Sequence, residues 1–125
     1  MNDWKKFDEW WKRGKNFLVT VVHTKNTEEE NKWFVYFYVY PEHPLFEKLT
    51  KESIYSPGLE KVYLHGGCTF SSWYCSTGGT IESKKYGCDY LHLGDERYEA
   101  MECAEDAHGI FTDAEFLHEN LQQMM

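Results

Sequence analysis

The sequence predicts an α+β fold: an antiparallel sheet of four to five strands with flanking N- and C-terminal helices. Three observations lead to this prediction. Several short segments are rich in alternating apolar residues, a glycine pair separates two of them, and apolar residues recur at helical spacing near both ends of the chain. At 125 residues, residues 1–125 are expected to form a single domain.

The N-terminal segment carries aromatic residues at a helical spacing. Trp4, Phe7, Trp10 and Trp11 recur with lysines and acids between them, and Gly14 follows. This spacing predicts an amphipathic helix that ends at Gly14.

The middle of the chain predicts strands. Residues 16–25 form the first, and residues 32–40 are apolar at both alternating positions, which predicts a central strand covered on both faces. The two prolines that follow predict that the chain leaves the sheet, with a short helical turn after Pro44. Residues 60–70 and 85–93 are expected to form two further strands.

Capping signals predict two helices near the C-terminus. Asp95 is expected to N-cap a helix over 96–108, and Gly109 to end it. Thr112 and Glu115 have the spacing of a capping box, which predicts the start of the last helix.

Charge and composition exclude several classes of protein. A net charge of −8 argues against broad contact with a nucleic-acid backbone. It suits solubility, and also an acidic face that docks on a basic protein. No segment is apolar enough to span a membrane, and the N-terminus is too polar for a signal peptide, so a cytoplasmic protein is expected. A homo-oligomer is compatible with these features.

Residues 63–95 contain many of the residues that could bind a metal ion, act as a nucleophile or form a turn. They hold three of the four cysteines, two of the six histidines and most of the glycines. Gly78-Gly79 is a suitable two-residue hairpin turn, which predicts partners whose numbers sum to 157. His65 would then face His92 with Cβ atoms roughly 5 Å apart.

The two histidines could belong to a zinc site, a catalytic cysteine–histidine pair or a ligand pocket. A zinc site would need Cys68 and Cys88 with the two histidines, but residues 88 and 92 are too far apart on a regular strand. A nucleophilic Cys68 would need His65 as its base, yet a cysteine in a strand is more often an inert apolar residue. The cysteines also lack any C-x-x-C pair, so no disulfide and no zinc are expected.

The sequence therefore favours a ligand pocket, without a metal, a cofactor or assigned catalytic residues. A bulge with a capping histidine is the structural alternative. In the pocket, the polar atoms of the ligand would form hydrogen bonds with imidazoles, hydroxyls and backbone N–H groups. Trp73 or tyrosines would stack on the ring of the ligand. The candidate ligand-binding residues are His65, Gly66, Gly67, Thr69, Ser71, Trp73, Asp89, His92 and Asp95.

Three ordered motifs resemble a known family. The segments "HGGCTFS" at 65–71 and "GCDYLHLGD" at 87–95, with "HPLFEK" at 43–48 upstream, are similar to motifs of a family of small uncharacterised phage and prophage proteins. The family usually has Leu in place of Cys68 and Phe in place of Cys88, which argues against a role for either thiol. The resemblance covers roughly residues 40 to 122 and implies a phage origin and a polar pocket.

Three functional hypotheses follow. The first is a phage-encoded counter-defence protein of the host bacterial cytoplasm that sequesters a small polar, nucleotide-like signal. The second is an acidic inhibitor that binds a bacterial defence protein. The third is a small hydrolase in which His65 or His92 acts as general base, oriented by Asp89 or Asp95.

Overall fold

The computed structural model describes residues 7–125, which form an α+β fold. A five-stranded antiparallel sheet has the order β1-β2-β3-β5-β4. Its strands are β1 (Phe7–Gly14), β2 (Phe17–Lys25), β3 (Asn31–Val39), β4 (Phe70–Cys75) and β5 (Ile81–Asp89). The helices are α1 (Pro44–Lys48), α2 (His108–Gln123) and two short 3₁₀ helices at Leu59–Lys61 and Glu96–Ala100. The predicted fold class is confirmed.

The central strand β3 separates the two faces of the sheet. Its odd-numbered residues, such as Trp33 and Phe37, are fully buried, whereas Tyr36 and Tyr38 on the other face are half-buried. The prediction of a central strand is confirmed, but the prediction that both faces are covered is wrong. Tyrosine tolerates partial exposure because its ring is apolar and its hydroxyl is polar, so an unbroken apolar run does not require two covering layers.

The predicted N-terminal helix is wrong, because the described part of this segment is strand β1. All eight of its residues pair with β2. The strand places Trp10 against Trp33, with ring centroids 6.0 Å apart, and turns Trp11 to the other face, where it is 61% exposed. Trp4, the first of the aromatic residues at helical spacing, lies outside the described residues.

Gly14 serves the β1–β2 turn and is not a helix cap. A Cβ at this position would lie 2.0 Å from the ring of its pairing partner Phe17. Asn16 in the same turn has a φ of 65°, a conformation that asparagine adopts more readily than most residues. The sequence therefore encodes a tight β-hairpin at this point.

The hairpin of β4 and β5 has the predicted register. Phe70 pairs with Gly87 and Tyr74 with Ser83, so partner numbers sum to 157 until the bulge at Cys75 near the tip. The predicted strand over 60–70 is wrong, since the ladder begins only at Phe70. Upstream of it, Gly66 and Gly67 have φ angles of 69° and 90°, which direct the chain into a turn.

The two C-terminal helix boundaries also differ from prediction. Asp95 makes no side-chain cap, and the expected helix over 96–108 is reduced to the 3₁₀ helix Glu96–Ala100. Helix α2 begins at His108, so Gly109 lies in its first turn and does not end a helix. Thr112 does not form a capping box; its hydroxyl donates to the His108 carbonyl oxygen.

Lys84 ties the short helix α1 to the sheet. Its ammonium donates to the carbonyl oxygens of Phe46 and Leu49, both at 2.8 Å. It also lies 4.1 Å from the ring centroid of Phe46 and 4.3 Å from that of Trp73. Burial lowers the pKa of this lysine, and the carbonyl dipoles and aromatic faces take the place of its water shell.

Lys84→Met is expected to lower the free energy of unfolding by about 2–3 kcal/mol, because two buried carbonyl oxygens lose a charged donor. Lys85→Met is the matched control. Lys85 lies on the half-buried face beside the rings of Tyr36, Tyr38 and Phe70, and its loss is expected to cost less than about 1 kcal/mol. Urea unfolding of both variants measures the difference, and equal losses would contradict the role of Lys84.

Gly87→Ala is expected to destabilise the fold by about 2 kcal/mol or more, because overpacking between the paired strands β5 and β3 strains the backbone. A Cβ on Gly87 would lie 2.3 Å from Cδ1 of Tyr36 and 2.5 Å from the Val35 carbonyl oxygen. Gly78→Ala is the control, since the nearest atom there is 4.0 Å away. Thermal unfolding should separate the two; a stable Gly87→Ala protein would refute the close approach.

Candidate functional site

Two loops at one end of the β4–β5 hairpin form the candidate site. His65 precedes β4, and His92 and Asp95 follow β5. Because the two strands are antiparallel neighbours, the loops before one and after the other lie side by side. The predicted meeting of the two histidines is observed, with imidazole centroids 5.7 Å apart.

A glycine turn presents His65. The Gly67 N–H donates to the Leu64 carbonyl oxygen at 2.9 Å, which makes His65 the second residue of a β-turn and Gly66 the third. Gly66 has a φ of 69°, and a Cβ there would lie 2.7 Å from Cε1 of His92. Gly66 is therefore required both for the turn and for the close approach of His92.

A second glycine turn presents His92. The Asp95 N–H donates to the His92 carbonyl oxygen at 2.9 Å, and the His92 N–H donates back to Oδ2 of Asp95 at 3.0 Å. Gly94 occupies the third position of this turn with a φ of 97°. The sequence His-Leu-Gly-Asp therefore closes on itself, with its carboxylate directed back at its histidine.

The Asp95 carboxylate is the centre of the cluster. It is 6% exposed. Nε2 of His65 lies 3.0 Å from each of its oxygens, and Nδ1 of His92 lies 3.2 Å from Oδ2. Burial alone would raise the pKa of Asp95, but hydrogen bonds from the two histidines outweigh it and hold the pKa below the usual range. The carboxylate is therefore ionised at neutral pH.

Aromatic rings fix the orientation of His65. Its imidazole stacks on Tyr90 with centroids 4.2 Å apart and planes 11° apart, and Tyr98 meets it edge-on at 5.9 Å. The Tyr90 hydroxyl donates to the Asp113 carboxylate at 2.7 Å, which ties the site to helix α2. His65 is thus positioned by packing as well as by Asp95.

An open cleft of acidic character adjoins the cluster. Asp89 lies at the margin of the cluster, with Oδ1 3.5 Å from Nδ1 of His92, and it accepts a hydrogen bond from the Leu91 N–H. The cleft lining contains three carboxylates and one lysine. The lining residues are Lys32, Tyr90, Leu91, His92, Leu93, Asp95, Glu96 and Glu99.

Three candidate residues make their contacts elsewhere. The exposed Thr69 contributes its N–H to the Gly87 carbonyl oxygen, and Ser71 pairs with Tyr86 in the sheet. The Trp73 indole donates to the Tyr86 hydroxyl and packs on Lys84. Trp73 therefore contributes to the packing that holds α1, and the aromatic rings beside His65 are those of Tyr90 and Tyr98.

The cysteines do not join the histidines. Cys88 is part of the core at 2% exposure, and burial raises the pKa of its thiol to about 12. Burial also raises the pKa of Cys68, whose thiol donates to the Phe70 carbonyl oxygen. Among residues 7–125, the group whose ligand atoms could hold a metal ion is His65, His92 and Asp95.

Sequence reasoning missed two features of the histidines. It assigned Asp95 to a helix cap, although the residue closes the turn on His92 and reaches His65 30 residues away. It also missed the burial of His23, which stacks on Trp33 with ring centroids 4.3 Å apart. The alternation of His23 with the inward-facing Val19 and Val21 was the signal for its burial.

No known protein family, curated protein or solved structure matches the chain. Within residues 7–125, none of the helices is long and apolar enough to cross a membrane.

Alkylation of the native protein is expected to label Cys75 and Cys103 first, because both are exposed. Cys88 should react only after unfolding, since it is buried and its thiol has a pKa of about 12. Peptide mass spectrometry after a timed iodoacetamide pulse near pH 8 reads the order. Early labelling of Cys88 would show that this part of the core is open.

Proposed function

We propose that the chain is a binding protein for a small polar ligand, held in the cleft at His65, His92 and Asp95. One observation carries the proposal: two partly exposed imidazoles converge on a single buried carboxylate beside an open cleft. Convergent polar groups of this kind, placed on turns that a rigid sheet supports, are typical of ligand sites.

The hydrogen bonds indicate which atoms of a ligand the site accepts. Because an ionised carboxylate accepts only, the ring nitrogens of His65 and His92 that face Asp95 carry the protons. In the neutral imidazole of His92, the opposite nitrogen Nε2 is then an acceptor. Together with Glu96 and Glu99, it favours a ligand that presents hydrogen-bond donors.

This chemistry narrows the expected nucleotide-like ligand. Amino groups of a base or hydroxyls of a ribose suit the acceptors of the cleft, whereas a phosphate would meet the charges of Asp95, Glu96 and Glu99. A nucleoside part therefore enters the cleft and any phosphate stays outside it. The role in phage counter-defence, in the host cytoplasm, is supported by the motif resemblance alone.

A His–Asp hydrolase is the second candidate. The observation that favours it is the contact between Nε2 of His65 and both oxygens of Asp95 at 3.0 Å. A carboxylate that orients an imidazole in this way prepares the other ring nitrogen to act as a general base. Turnover of a bound nucleoside derivative, lost in Asp95→Asn, would favour this candidate over simple binding.

The binding proposal is tested with nucleosides and their monophosphates as probes, by calorimetry and thermal shift. The wild type is expected to bind one nucleoside class, and to bind its monophosphate no better. His92→Gln should weaken this binding by about 10-fold or more without lowering the melting temperature of the free protein, since a partly exposed imidazole contributes little to stability.

His108→Gln is the matched control, because His108 is exposed at the start of α2. It is expected to bind as the wild type does. Binding that is equally strong in His92→Gln and the wild type would place the ligand elsewhere and overturn the proposal.

A further inference from the structure

We propose that His65, His92 and Asp95 bind one divalent transition-metal ion of the zinc class. The inference rests on the proposed function, because it names what the three side chains hold at the base of the same cleft. A hydroxyl oxygen of the polar ligand then completes the coordination of the ion.

The spacing of the ligand atoms fits such an ion. One ligand atom from each of the three residues lies within 4.8 Å of the others. The closest nitrogen–oxygen separations are 3.0 Å from His65 to each Asp95 oxygen and 3.2 Å from His92. Zinc with bonds of about 2.0–2.2 Å in tetrahedral geometry separates its ligand atoms by roughly 3.3–3.6 Å. The nitrogen–oxygen pairs are already close to this spacing, and side-chain movements of about 1 Å bring the wider separation, which is within 4.8 Å, to it.

The symmetric contact of His65 supports chelation. A single N–H points at one acceptor best, yet Nε2 of His65 is equidistant from both Asp95 oxygens. An ion that replaces this proton, and the proton on Nδ1 of His92, satisfies all three groups at once. Charge favours the same result, because the buried carboxylate is joined by Glu96 and Glu99 in the cleft lining.

The ligands are held in place before any ion binds. The Tyr90 ring supports His65, and the His92 N–H fixes Oδ2 of Asp95. The missing Cβ of Gly66 lets the His92 ring approach. Contacts of this kind orient the side chains that bind a metal ion and raise the affinity of the site.

The class of ion follows from the ligand set. Two imidazoles favour zinc, cobalt or nickel over magnesium and calcium, which prefer oxygen ligands. Three protein ligands leave at least one position open, as in zinc sites that bind substrates, and unlike closed structural sites with four cysteines or histidines. Asp89, 3.5 Å from Nδ1 of His92, is placed to approach this ion as a weaker fourth ligand.

The site differs from the zinc site that the sequence raised and disfavoured. That site needed Cys68 and Cys88, whose thiols are not among the atoms placed to hold an ion together with the two imidazoles. The carboxylate of Asp95 takes the place of both thiols. Its position depends on the turn from His92 to Asp95. The sequence did not predict this turn, because Asp95 was expected to cap a helix.

The test is metal binding by chelator-treated full-length protein. Titration with Zn²⁺ in a calorimeter is expected to give one ion per chain, and Co²⁺ should give the visible absorption of a low-symmetry site with nitrogen and oxygen ligands. Mg²⁺ and Ca²⁺ should not compete. His65→Gln, His92→Gln and Asp95→Asn should each weaken Zn²⁺ binding by more than about 100-fold, and Asp89→Asn by about 10-fold.

Two controls keep the result interpretable. His108→Gln and Cys75→Ser, at exposed positions, should retain the wild-type Zn²⁺ affinity. Because Asp95→Asn can impair folding, the decisive variant is His92→Gln, with its fold checked by circular dichroism. Loss of Zn²⁺ binding in a folded His92→Gln protein supports the site.

The outcomes separate this inference from the proposed function. A wild type that binds no Zn²⁺, yet binds a nucleoside in the presence of chelator, overturns the metal site and leaves the ligand site standing. Zn²⁺ binding that survives in His92→Gln, or disappears in Cys75→Ser or His108→Gln, places the ion elsewhere and also overturns it. Zn²⁺ binding at this cluster with no nucleoside binding supports the metal site and refutes the proposed ligand.

Discussion

Within the described chain, a single long helix, α2, is available to cover the buried face of a five-stranded sheet. This lack of helical cover constrains the rest of the structure. Irregular segments cover what α2 does not reach, and their backbone groups lack the partners that a helix or a strand supplies. Side chains of the sheet supply them. Lys84 donates to two carbonyls after β3, Trp33 donates to Met101 and Asn31 to Glu99. The sheet thus fixes its own covering layer.

Asp95 likewise supplies a hydrogen-bond partner to irregular backbone, in the loop that follows β5. Its carboxylate accepts the His92 N–H and closes a turn that has no regular structure. The same oxygens then draw in His65. The carboxylate that orders this loop is therefore also the group that brings the two imidazoles together.

The sheet was largely predictable because its signals are local. Short runs of apolar residues predicted β2 and β3, and the glycine pair at 78–79 predicted the register that brings His65 toward His92. The N-terminal strand was missed because aromatic residues three and four apart satisfy a helical period, while pairing with β2 decides the outcome. The role of Asp95 was hidden for a different reason: it depends on a partner 30 residues away, and a cap was the nearest local interpretation.

The placement of the cluster at the open end of the β4–β5 hairpin has a consequence for how such a protein can diversify. The tip at Gly78-Gly79 lies at the far end of the ladder, beyond the bulge at Cys75. Length and composition at that tip are uncoupled from the geometry of the imidazoles, because the intervening pairs hold the two strands in register. Insertions there can add a new contact surface while the arrangement of His65, His92 and Asp95 at the base stays intact.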